Sequence, residues 1–274
     1  MKKPTAYVFL AVLSVLMIYP LVWLFFASFK ENSEIFGSLS LFPKTLSFEP
    51  FIKGWQGAGR VNYSHFFLNT LYLVVPTVLF TIISSVLVAY GFSRFEFIFK
   101  KFLFTLMIST LMLPKAVLII PKFILFRNLE WLNTYWPFIV PAIFAANPFF
   151  IFMMVQFFRG IPRELDESAH LDGCNSFAIL YRILIPLCKP AIVSIGIFQF
   201  IWTWNDFFNT LIYINSVSKF TVSLGLKMSI DTVAEVSWNQ VMAMSMVAIV
   251  PSIVIFFLAQ KYFVEGIATS GLKG

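Results

Sequence analysis

The sequence is short of charge. Asp, Glu, Lys and Arg make up 12% of its 274 residues while 59% are hydrophobic; ordinary soluble domains carry about 25% charged and roughly 45–50% apolar residues. A soluble fold of this length has too little interior for so much apolar side chain, which excludes a soluble enzyme or binding module. Cysteine is nearly missing. Cys174 and Cys188 are the only two, and neither shows CxxC or Cys/His ligand spacing, so they read as reduced packing residues rather than metal ligands. His65 and His170, the only histidines, stand apart from each other and from any carboxylate pattern, which argues against metal binding or acid–base catalysis. No GxxxxGK[ST] loop occurs, so nucleotide phosphates find no cradle of backbone N–H groups in this chain. The apolar runs also lack paired His, Asp, Ser or Glu, against a membrane-embedded enzyme.

What is abundant is Phe, at 35 positions, and long uncharged stretches. A bilayer core about 30 Å thick needs about 20 helical residues. Six windows qualify, at about 6–29, 66–90, 102–123, 135–158, 190–213 and 239–260, and predict an all-α membrane protein with six transmembrane helices forming one domain over 1–274. Pro20, Pro76, Pro114, Pro141 and Pro251 fall inside these windows and predict kinks. The first window follows Met1-Lys2-Lys3 but exceeds the length of a cleavable signal sequence and precedes no small-x-small site, so it is expected to be retained.

The net charge of +7 is dispersed between apolar runs rather than gathered on one face. That pattern suits anionic lipid headgroups and not nucleic acid. Placing both termini in the cytoplasm puts the larger share of basic residues inside, among them Lys2, Lys3, Arg94, Lys100, Lys101, Arg159, Arg163, Arg182, Lys189 and Lys273. Lys44, Lys53, Arg60 and Lys219 then fall in longer outer loops. Of these, 30–65 is broken by Pro43, Pro50 and several glycines.

The inner segment 159–187 differs from the other loops in being long, charged and patterned as helices. Pro162 suits a first helical position, Glu164, Asp166 and Glu167 favour the positive end of a helix dipole, and Gly173 supplies a left-handed stop. Phe177, Leu180, Tyr181 and Leu184 then repeat at helical spacing and predict one apolar stripe. A plain amphipathic interfacial helix would share these traits. The spacing is more particular: Glu167-Ser168-Ala169, three residues, Gly173, nine residues, Ile183-Leu184-Ile185-Pro186.

That spacing resembles the signature of permease subunits of bacterial binding-protein-dependent ABC importers, with Ser168 in place of Ala and Ile185 in place of Leu. The resemblance extends along nearly the whole chain to the smaller permease of maltose-type oligosaccharide importers. Leu113-Pro114, Ile120-Pro121, Leu132-Asn133-Thr134, Trp204-Asn205-Asp206-Phe207-Phe208 and the tail from Gly266 to Gly274 carry it. It implies a type I importer permease fold whose cytoplasmic coupling helix seats in an ATPase, with Glu164, Glu167, Ala169, Gly173, Ile183 and Pro186 as coupling residues. It further implies two ATPase subunits that bind ATP and Mg, a second homologous permease, an extracytoplasmic solute-binding protein and a carbohydrate substrate translocated by alternating access. A secondary transporter of a polar solute, or an importer for a non-sugar solute, is the alternative; no internal repeat favours the former.

Asp206 is the one acidic residue inside an expected span. With Trp202, Trp204, Asn205 and Asn209 it offers apolar faces and amides suited to a sugar. Equally, it could cap the end of the fifth helix.

Overall fold

The computed structural model describes residues 3–38, 40–57, 61–231 and 236–271. Lys2, Arg60 and the last three residues, Leu272, Lys273 and Gly274, lie outside the described residues. Helices α1 (Lys3–Ala27), α2 (Asn32–Gly37) and α3 (Glu49–Gln56) precede the long α4 (Tyr63–Arg94). Next come α5 (Lys100–Thr110), α6 (Ile119–Asn128), α7 (Trp136–Ile143) and α8 (Pro148–Gly160). The following segment holds α9 (Glu164–Leu171), α10 (Ser176–Ile179), a π-helical turn (Leu180–Leu184) and α11 (Ile185–Leu187). After it come α12 (Lys189–Trp204), α13 (Phe207–Tyr213), α14 (Val222–Asp231) and α15 (Trp238–Gly271). Among the described residues there is no strand.

Four stretches among the described residues are long and apolar enough to cross a membrane: Pro4–Ala27, Tyr63–Arg94, Trp136–Gly160 and Trp238–Lys261. A fifth is a bent pair, Ser176–Leu187 with Lys189–Trp204, angled at 78°. Three expected windows are therefore not single helices, and 135–158 is divided between α7 and α8 at residues 144–147. In 102–123, α5 ends at Thr110 and a 3-10 turn over Lys115–Leu118 intervenes before α6. The cause is Pro114, held extended at φ −60°, ψ 128°; proline lacks an N–H and pushes the preceding residue out of the α region. Window 190–213 breaks at Asn205 and Asp206, between α12 and α13. There side-chain hydrogen bonds to the backbone compete with helix continuation. The bend of the fifth stretch falls instead where Cys188 leaves helical geometry, with Pro186 and Pro190 on either side.

The chain forms two compact units, Met1–Asn69 with Phe220–Pro251 and Thr70–Lys219 with Ser252–Gly274. In the first, Phe66 is fully buried against Tyr63, Val222, Ala243 and Met244. Gly225 lets α14 approach that ring, since a Cβ there would lie 2.7 Å from Phe66 Cε2. The most apolar stretch of α1 buries nothing against this chain. A helix apolar on all sides is a lipid-facing or partner-facing element.

The second unit is built around α8. Phe150, Met154 and Phe158 recur every fourth residue, and with Ile151 and Val155 they form one fully buried face. Against it lie Val86, Ala89 and Tyr90 of α4 and Leu184, Ala191 and Ile195. In lipid the transfer of such side chains gains little, so close packing rather than water exclusion holds this core.

Candidate coupling and pathway sites

Helix α9 is short, and its ends are specified by its own sequence. Glu164, Asp166 and Glu167 occupy the first turn, where carboxylates meet the unpaired N–H groups of the helix start. Asp166 N and Glu167 N donate to Arg163 O at 2.9 and 3.0 Å. Pro162 lies before the helix rather than at its first position, because Arg163 is the capping residue. At the other end Gly173 adopts φ +84°, with Gly173 N donating to His170 O at 3.0 Å and Cys174 N to Ala169 O at 2.9 Å. This pair of bonds is a Schellman termination, which needs the left-handed residue that glycine supplies. Ala169 is buried in the core, whereas Glu164 and Glu167 are exposed. Ile183 packs against the core and Pro186 is exposed.

The expected apolar stripe is corrected. Phe177 and Tyr181 are 70% and 67% exposed, and the inward face is Ile179, Leu180, Leu184 and Cys188. The π-helical turn over Leu180–Leu184 widens the helix there, so a single 3.6-residue period does not carry from Phe177 through Leu184 and misassigns the face. Phe177 and Tyr181 thereby join Leu165 and Leu171 as exposed apolar side chains of this segment.

Four polar contacts fasten the segment to the C-terminal end of α4. Arg94 Nε lies 2.7 Å from Asp166 Oδ2 with both side chains largely buried, at 7% and 15% exposure. Arg94 Nη2 donates to Ile161 O at 3.1 Å, and Arg163 Nη2 donates back to Ser93 O at 3.2 Å. Tyr90 Oη donates to Ser176 O at 2.9 Å. A cavity of about 190 Å³ opens beside them, lined by Arg94, Arg163, Asp166, Glu167 and His170. In the sequence Arg94 is only a basic loop residue and Asp166 only a dipole partner. Nothing in the sequence links positions this far apart.

The residues named for a sugar pathway are only partly brought together. Asp206 caps α13: its Oδ1 accepts from Asn209 N at 3.1 Å, and Asn209 Nδ2 reaches both carboxylate oxygens at 3.0 and 2.8 Å. Asn205 turns back to donate to Ile201 O at 2.8 Å. Trp202 lies among Phe149, Phe150 and Phe198, while Trp204 is buried and stacked on Phe200.

Asn133 is a hub of a different kind. In left-handed geometry at φ +57°, it makes five hydrogen bonds. Its N donates to Tyr213 O at 2.7 Å and its Nδ2 to Ser216 Oγ at 2.8 Å, while Asn215 N and Ser216 N donate to its Oδ1. Lys219 Nζ donates to its carbonyl at 2.7 Å.

Residues 81–269 match the family described as the binding-protein-dependent transport system inner membrane component. The match covers α9 and most of the second unit. The chain belongs to this family. As a transport permease, it is a membrane subunit of a transport complex and not its ATP-binding part. It is 35% identical over 272 residues to the probable ABC transporter permease protein YurM of Bacillus subtilis, covering 99% of this chain and 89% of that one. It is 33% identical to the arabinooligosaccharides transport system permease protein AraQ of the same organism, covering 97% and 94%. The galactooligosaccharides permease GanQ of that organism is 29% identical, over 98% of this chain and 95% of that one. In fold, the permease matches a chain in the crystal structure of a bacterial ABC transporter that imports the acidic polysaccharide alginate. The TM-score is 0.84 with 23% identity, over 94% and 95% of the two chains.

Proposed function

We propose that this permease is one of two homologous membrane subunits of an importer that carries a carbohydrate, most consistent with an oligosaccharide, into the cytoplasm. Two ATPase subunits binding ATP and Mg supply the energy, and an extracytoplasmic solute-binding protein delivers the sugar. The single observation that carries the sugar is the 33% identity, nearly end to end, with an arabinooligosaccharide permease. Under this reading the fold is the type I importer permease with six spans and both termini inside. The third span is then the interrupted α5–α6 stretch, and the fifth takes in the bent or broken helices after 176.

Segment 159–187 acts as the coupling element. What supports this is an exposed, acid-headed helix with a defined stop, flanked by exposed Leu165, Leu171, Phe177 and Tyr181. Such a surface offers an ATPase both charge and apolar contact. Glu164, Glu167 and Gly173 are the contact and shape-setting residues of α9, Ala169 and Ile183 anchor the segment to the core, and Pro186 lies at the segment's end. ATP closure of the ATPase pair moves this element, and the spans alternate between inward-open and outward-open states of different ligand affinity. Trp202, Trp204, Asn205, Asp206 and Asn209 shape the pathway wall near the break after α12; membrane lipid surrounds the rest.

The test is the complete complex reconstituted with its binding protein and screened with arabino-, galacto- and other oligosaccharides. One sugar is expected to stimulate ATP hydrolysis several-fold, within the usual range of coupling between sites. A response to amino acids or phosphate esters alone overturns the carbohydrate assignment. Glu167→Lys is expected to abolish stimulation, and unchanged assembly and transport in that variant overturn the coupling role.

A further inference from the structure

The contacts at the C-terminal end of α4 explain how so small an element as α9 could move a membrane helix. Of the eight residues of α9, Ala169 is the one that is buried. Apolar packing therefore holds this helix only weakly, and a helix of two turns is not stable by itself. Its position is set by polar ties to one place, the last turn of α4. Those ties are reciprocal, because Arg94 reaches the chain just before α9 at Ile161 O while Arg163 reaches back to Ser93 O. Between them the Arg94–Asp166 pair is buried on both sides. Breaking one half leaves an uncompensated charge in a poorly solvated place, which gives the contact a steep energetic penalty for opening. Among the described residues Asp166 Oδ1 has no hydrogen-bond partner, and the Arg94 contact is the principal restraint on that carboxylate. Helix α4 carries Pro76 inside it, and between that proline and Arg94 it is unbroken helix, so a displacement at its last turn is passed along this stretch.

We infer that Arg94 and Asp166 form a latch that binds the coupling segment to α4, making these two the positioning residues through which a push on α9 reaches the membrane helices. The inference rests on the coupling role proposed above. Neither residue contacts nucleotide or sugar under this reading; each acts through the other. Tyr90, by its bond to Ser176 O, keeps the next turn of the segment in step.

The experiment compares wild-type, Asp166→Asn, Arg94→Asp and the exchanged pair Arg94→Asp with Asp166→Arg, each in the complete reconstituted complex. Basal ATP hydrolysis, binding-protein-stimulated hydrolysis and sugar moved per ATP are read together, with subunit stoichiometry as the check on assembly. Single variants are expected to keep basal hydrolysis within about twofold while stimulation falls about tenfold or more; the exchanged pair regains it to within about threefold of wild type. A role confined to folding would lower assembly and leave the ratio of stimulated to basal hydrolysis alone. Single variants with wild-type stimulation overturn the latch. So does an exchanged pair that assembles yet stays uncoupled, which keeps the test decisive if the single variants fail to assemble. A wild-type complex with no binding-protein response overturns the coupling reading beneath it, a result distinct from a responsive wild type with unaffected variants.

Discussion

Two junctions in the Thr70–Lys219 part of the chain are built from opposite chemistry. The first joins α4 to α9 through a buried ion pair at 2.7 Å, and among the described residues one of its carboxylate oxygens has no hydrogen-bond partner. The other joins the turn after α6 to the chain after α13 through the neutral side chain and backbone of Asn133, with five hydrogen bonds. A buried ion pair is strong only while both partners are in place, and its desolvation makes it an all-or-none contact. A neutral hub spreads its energy over several ordinary bonds and opens gradually. The first suits an element that must move as one piece. The second suits a loop that must keep its shape.

The difference can be broken first at its costlier side. Arg94→Met strands the Asp166 carboxylate and is expected to cost about 3–5 kcal/mol, read as a lowered melting temperature of the purified permease in detergent. Because the wild-type pair is buried, its melting temperature should change little between about 0.1 and 0.5 M salt, where surface pairs are screened. Next comes the hub. Asn133→Ala leaves the Asn215 and Ser216 N–H groups unpaired and is expected to cost about 1–3 kcal/mol, seen as faster proteolysis between Tyr213 and Lys219. Asn133→Gly keeps the left-handed backbone accessible but removes the amide, and equal loss in both variants assigns the effect to side-chain bonds rather than to φ.

The smallest effect is expected at Glu96, beside the latch but fully in solvent. The hydrogen bond from Lys100 and then its charge hold the Glu96 carboxyl below the usual range. A depressed folded-state value means that any gain is present above the ordinary carboxylate range and is lost as pH falls through the folded value. Screening in water makes that gain negligible, so Glu96→Gln should melt with wild type at neutral and at acid pH. A clear drop at neutral pH would show that the ion-pair network extends beyond Arg94 and Asp166.

Much of this permease was legible in one dimension. The start and stop of α9 follow from Glu164, Asp166, Glu167 and Gly173, because capping and left-handed termination involve residues within one turn of each other. The interruption after Thr110 follows from Pro114 through its own lost N–H, although the sequence read it as a kink within one span. Where several local signals compete, the reading stayed open or failed. Asp206, which the sequence offers both as a residue inside the fifth span and as a cap at its end, is the cap of a separate helix through its bond to Asn209 N, and Phe177 and Tyr181 face outward although they share a helical spacing with buried Leu180 and Leu184.

Membrane embedding and family membership were thus determined by the sequence itself, since total apolar content and the fixed spacing from Glu167 to Pro186 need no knowledge of what packs against what. The partners of Arg94, Asn133 and Tyr90 were decided by tertiary structure alone. Each meets atoms more than sixty residues away, and a contact at that separation depends on how the helices between are bent and docked, which no local pattern of residues encodes.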